Sequence, residues 1–236
     1  MSSVMEQIID RMLMKAPIED LLSKLPDIDR IDPNSGRNLL ETVLYDSAFG
    51  YVPDLLRHGA NIDAVGKRGM TVWLCSVRDG NLPALEYLLE LGANTALKND
   101  QGQGTEYFAV ANPVSTKCTK FLLAKKFLTP SATFQDLDGY HCSLLETSIN
   151  LAKIELFTHI LGMLDTITEE RVESVREFLD IHKEDHGEDL SSQFTRTFES
   201  SLERIVAGGV MADHTSQVQS QPRRSARLAC RLKQHT

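Results

Sequence analysis

His182 and His186 stand four residues apart, a spacing that sets both imidazoles on one face of a helix, where a divalent metal can bridge such a pair. The intervening Lys183-Glu184-Asp185 lacks the glutamate placement of a zinc protease, and no third ligand is evident. A solvated, acidic helix end is the better account of the pair. His141 beside Cys142 has the residue types of an activated thiolate, but neighbouring side chains do not converge on a helix. A cap or turn role suits His141 better. Gly102-Gln103-Gly104 is too short to cradle a phosphate and reads as turn chemistry. No G-x-x-x-x-G-K, G-x-S-x-G or H-E-x-x-H pattern occurs. Cys75, Cys118, Cys142 and Cys230 form no C-x-x-C pair, which fits reduced thiols of the cytosol or nucleus rather than a zinc or disulfide framework. The expectation is a protein without catalytic residues, metal, cofactor or small-molecule substrate. An enzyme subunit is the remote alternative, and it would need a pocket of convergent titratable groups.

Charge offers more. The 236 residues carry a formal net charge of −8, yet residues 222–236 hold Arg223, Arg224, Arg227, Arg231 and Lys233 and no acid. That segment is therefore +5, against −13 for residues 1–221. Such asymmetry suggests a tail with its own task. Residues 169–189 hold nine acids against three bases, as in a solvated helix or a docking surface for a basic partner. The single tryptophan, Trp73, is read as core, with an exposed binding hot spot as the alternative.

The elements that position these residues follow from a repeat. His58-Gly59-Ala60-Asn61 recurs 33 residues later as Leu91-Gly92-Ala93-Asn94. Gly36, Gly69 and Gly102 keep the same spacing of 33, and Leu55-Leu56 recurs as Leu88-Leu89. Leu39-Leu40-Glu41-Thr42 returns as Leu144-Leu145-Glu146-Thr147. Leu85, Leu88 and Leu89 make an apolar stripe that one unit cannot cover alone, so neighbouring units must bury it. Val52 to Arg57 reads as the second helix of the first unit. The third unit, from Gly102, ends at Phe121-Leu122-Leu123 without a Gly-Ala-Asn. The glycine spacing then grows to 37 at Asp138-Gly139, with a loop near Thr129 to Gln135 absorbing the excess.

This period, with Gly69-Met70-Thr71-Val72-Trp73-Leu74 and Gly80-Asn81 in their places, resembles the ankyrin repeat, a β-turn followed by two short antiparallel helices. Val72 stands where the family has a helix-starting proline, and Leu74 where it has a histidine. The resemblance covers roughly residues 1–165 and implies an all-α solenoid of about four helix pairs with helical caps. Expected boundaries are a cap over 1–27, repeats over 28–165, a helical pair over 166–207 and a disordered basic tail over 208–236. In the cap, Val4, Met5, Ile8, Ile9, Met12 and Leu13 share one face, and Ile18, Leu21, Leu22 and Leu25 form a second helix after Pro17. Val172, Val175, Phe178 and Leu179 mark the first helix of the C-terminal pair; Leu190, Phe194, Phe198, Leu202 and Ile205 mark the second.

The resemblance also implies function. Ankyrin stacks bind proteins through turn tips and the ends of the first helices. Those slots hold Asn34, Ser35, Arg37, Tyr45 and Asp46 in the first unit. They hold Lys67, Arg68, Met70, Arg78 and Asp79 in the second, and Asp100, Gln101, Gln103 and Asn112 in the third. Plain solvent exposure is the alternative at each.

In the tail, Arg223-Arg224-Ser225-Ala226-Arg227-Leu228 resembles the core motif of the high-mobility-group nucleosome-binding proteins. Ala229-Cys230 departs from it. The family's arginines dock on an acidic histone surface, a role that would fall here to Arg223, Arg224 and Arg227. A nuclear-import signal, in which Arg231 and Lys233 would share, or a merely basic tail, remains open. The first residues lack the cations of a signal peptide, and no apolar run is long enough to cross a membrane. The expectation is a soluble intracellular adaptor for one or more proteins, nuclear or nucleocytoplasmic, with a cytoplasmic scaffold or regulatory subunit as alternative.

Overall fold

The computed structural model describes residues 4–33, 35–111, 115–135, 141–186 and 188–207. The chain divides into two compact units, Met1–Thr129 and Pro130–Thr236.

The first unit holds α1 (Val4–Leu13), α2 (Glu19–Leu22), α3 (Leu39–Tyr45), α4 (Val52–Arg57), α5 (Val72–Asp79), α6 (Leu82–Glu90), α7 (Thr105–Ala111) and α8 (Thr116–Ala124). Short polar side chains start these helices by accepting an otherwise orphaned amide. Asn38 accepts from Glu41 N at 2.8 Å, Thr71 from Leu74 N at 3.3 Å, Asn81 from Ala84 N at 3.2 Å and Ser115 from Cys118 N at 3.4 Å. Thr71 thus begins α5 with Val72, not a proline, as its first residue. Gly59 ends α4 at φ +91° and Gly92 ends α6 at φ +79°, conformations glycine adopts without Cβ strain. Lys126 ends α8 in the same left-handed region, at φ +62°.

Two details differ from the sequence expectation. The second cap helix is a single turn, α2, although Ile18, Leu21 and Leu22 are buried as expected. Leu13, assigned to the apolar face of α1, is 73% exposed, lying about 100° around the helix from the buried Met12.

Helices pack between neighbours in sequence: α3 on α4, α5 on α6, and α5 on both α3 and α7, with α6 on α8. Bonds spanning about one period tie them. The Asp29 carboxylate accepts from Asn61 N at 3.1 Å, and Asp63 accepts from Asn94 N at 2.8 Å. Asn81 Nδ2 donates to the Leu44 carbonyl at 3.0 Å, and the Cys118 thiol donates to the Gly80 carbonyl at 2.9 Å. Trp73 is fully buried. Its Nε1 donates to Thr105 Oγ1 at 2.8 Å, and its ring meets Phe127 edge-on at 5.5 Å. It is a core residue with its polar edge satisfied, not an exposed hot spot.

The second unit opens with two short antiparallel strands, β1 (Thr133–Gln135) and β2 (His141–Ser143), whose backbones pair Phe134 with Cys142. The segment expected as a plain loop near Thr129 to Gln135 therefore contains a strand. The rest is helical: α9 (Leu144–Asn150), α10 (Ile154–Met163), α11 (Glu169–His186) and α12 (Glu188–Ala207). Ser143 and Glu146 form a reciprocal capping box at the start of α9. Phe157 of α10 packs against Phe194 and Phe198 of α12, with ring centroids 5.1 and 6.2 Å apart. α11 packs on α9 and α12, and Arg204 donates to the Leu161 carbonyl at 2.6 Å.

Candidate functional site

Three successive turns in the first unit are held by their own polar groups. In the first, the Asp32 carboxylate accepts from Ser35 N at 2.8 Å, and Gly36 lies at φ +70°. In the second, Gly66 N donates to the Met70 carbonyl at 2.7 Å, which places Arg68 and Gly69 at φ +62° and +73°. In the third, the Asn99 side chain accepts from Gln101 N at 3.0 Å and Gln103 N at 2.9 Å, and donates to Gln103 Oε1 at 2.8 Å. Asp100 N donates to the Arg68 carbonyl at 3.2 Å and so couples the second turn to the third.

The first two turns and the ends of α3 and α5 enclose a groove of about 350 Å³. Ser35, Arg37, Lys67, Arg68, Met70 and Arg78 line it. All six are positions assigned to partner contact from the sequence. Tyr45 joins them indirectly, since the Arg37 guanidinium lies 3.7 Å from its ring centroid. Asp79 holds Arg78 through two bonds of 2.8 and 3.1 Å. Asp46 is exposed at the end of α3 and does not line the groove. Asp100, Gln101 and Gln103 sit on the adjoining third turn. Asn34 and Asn112 lie outside the described residues.

Three lining residues, Gly36, Glu41 and Cys75, were not assigned to partner contact from the sequence, and two of them are titratable. Glu41 is 8% exposed and approaches Arg37 Nε at 3.5 Å. Burial holds its carboxyl above the usual glutamate range, opposed by a hydrogen bond from Cys75 and by Arg37 and Arg78. Burial, with the facing Glu41 charge, pushes the Cys75 thiol up to about 12. That thiol is protonated at neutral pH and is no nucleophile. The repeated Leu-Leu-Glu-Thr was the available signal for Glu41. At Glu146 the same glutamate is already committed, accepting from Ser143 N at 2.9 Å and from the Ser174 hydroxyl of α11. At Glu41 it turns into the groove.

Lys67 and Arg68 have no side-chain partner among the described residues. Two uncommitted cations beside two arginines make the groove a receptor for negative charge.

No family model matches the chain. Over 79 residues it is 35% identical to the B-cell lymphoma 3 protein homolog of Mus musculus. The match takes in 34% of this chain and spans 18% of that relative's length. The relative carries ankyrin repeats, and the likeness suggests an ankyrin-like family for the matched stretch.

Elsewhere, no helix among the described residues is long and apolar enough to cross a membrane. Among the same residues, no three His, Cys, Asp or Glu side chains gather as metal ligands. His182 and His186 fall on α11 and His141 and Cys142 on β2, where only the backbone is described. The tail residues Arg223, Arg224, Ser225, Arg227, Leu228, Arg231 and Lys233 lie outside the described residues.

Proposed function

We propose that the first unit is an ankyrin-type solenoid and that the protein is a non-enzymatic adaptor. Its basic groove takes an acidic segment of a partner protein. One observation carries this reading: six positions that the ankyrin resemblance implies for partner contact line a single groove with four cations. The neighbour-to-neighbour helix packing and the bonds about one period long support the solenoid. The basic tail serves as a second element, directing nuclear import and docking on an acidic histone surface, on the strength of its Arg-Arg-Ser-Ala-Arg-Leu match.

An array of Asp/Glu-rich peptides and their Asn/Gln counterparts, probed with the full chain, tests the groove. Acidic peptides are expected to bind, and Lys67→Glu/Arg68→Glu to abolish binding without changing the helical circular dichroism. Equal binding of acidic and amide peptides, or binding untouched by the charge reversal, would reject the assignment.

A further inference from the structure

A second groove, of about 860 Å³, is lined by α11 and α12. Glu169, Glu170 and Glu173 come from α11, and Glu199 and Glu203 from α12. Arg176 is the one cation among the described lining residues, and Glu199 already holds it through bonds of 3.1 and 3.2 Å. Val172, Leu202 and Val206 add apolar surface, with Val206 53% exposed. Such a lining suits a segment that combines several cations with one or two aliphatic side chains.

The chain itself carries that segment. Residues 222–236 bear five cations, no acid, and the two leucines Leu228 and Leu232. The tether is adequate. Arg223 follows the end of α12 at Ala207 by 16 residues, and Val206 belongs to the groove. Sixteen residues reach up to ~50 Å when extended, whereas a 20-residue helix is ~30 Å long. A segment so tethered acts at millimolar effective concentration, so even a weak site is occupied in cis.

We propose that residues 222–236 dock in the α11–α12 groove of the same chain, their arginines on its glutamates and Leu228 and Leu232 on its apolar surface. Docked, the Arg-Arg-Ser-Ala-Arg-Leu motif is withheld from other acidic surfaces until one of them competes it away. The inference is independent of what the first unit's groove binds.

Limited trypsin digestion of the full chain, followed by mass spectrometry, tests it. In Glu173→Gln/Glu203→Gln and in Leu228→Ser/Leu232→Ser, cleavage after Arg223 and Arg227 is expected to accelerate about tenfold. Added salt should accelerate it in the wild type but not in the glutamine pair. Tail cleavage at the wild-type rate in both variants would overturn the proposal. Wild-type protection that grows with protein concentration would overturn it too, placing the tail in the groove of a second copy. If the glutamine pair loses its helical signal, the serine pair, which alters only the tail, decides alone.

Discussion

Gly69→Ala puts the architecture of the second turn to a quantitative test. Gly69 lies at φ +73°, and a methyl group added there would stand 2.4 Å from both Asp100 N and Asp100 Oδ1. The left-handed conformation alone costs an alanine about 1 kcal/mol. The chain must also shift, which strains or breaks the 3.2 Å bond from Asp100 N to the Arg68 carbonyl, worth about 1 kcal/mol. Residual crowding adds a similar amount, while the stiffer unfolded chain returns about 0.5–1 kcal/mol. The net expectation is a loss of about 2 kcal/mol, or a fall of about 5–10 °C in melting midpoint. Gly92→Ala is the internal control: φ is +79°, but the added methyl group meets nothing within 4 Å. Only the conformational cost remains there, about 0.5 kcal/mol after the unfolded-state gain. Urea titrations of both variants, followed at 222 nm, give the comparison. If Gly69→Ala destabilises no more than Gly92→Ala, the close approach of the second and third turns is wrong.

Three further outcomes are expected. The Glu41 carboxyl titrates above its unfolded value of 4.5, so its contribution is fully present below that pH and lost as pH rises through the folded value; urea midpoints of wild type should therefore fall relative to Glu41→Gln between pH 4 and 7, and parallel profiles would contradict the burial. Lys126→Gly removes left-handed strain at the end of α8, where φ is +62°, and should stabilise the chain by about 0.5 kcal/mol in the same titration. Trp73→Phe deletes the 2.8 Å bond to Thr105 and leaves a gap in a fully buried site, so thermal melts should report a loss of about 2 kcal/mol.

Much of the first unit was legible because its period is written in residues with strong local preferences. Asn38, Thr71 and Asn81 start helices, while Gly59 and Gly92 stop them. The third unit was harder to read because Lys126 takes the left-handed turn that glycine takes elsewhere, so the geometry persists after its marker is gone. The positions that line the groove were named from the ankyrin resemblance, which places contact residues beside each turn glycine and at the end of the first helix. Glu41 and Cys75 were missed because their role depends on which neighbouring unit they face. The tetrapeptides holding Glu41 and Glu146 are identical, and only the preceding residue, Asn38 against Ser143, marks the capping box that holds Glu146. The strand at Thr133–Gln135 was missed because three-residue strands carry too little alternation to register.

The bonds that join the helices of the first unit bear on how it folds. Those of Asp29 with Asn61, Asp63 with Asn94, Trp73 with Thr105, Asn81 with Leu44 and Cys118 with Gly80 span 31 to 38 residues. Closing loops of that length costs little more entropy for one pair than for the next. Each helix pair can therefore form against whichever neighbour is already in place, without waiting for a distant part of the chain. In the solenoid proposed for the first unit, folding then spreads outward from any sufficiently stable pair, and unfolding begins at an end. Hydrogen exchange in the first unit should accordingly grade along the sequence, slowest around α5 and fastest at the one-turn α2.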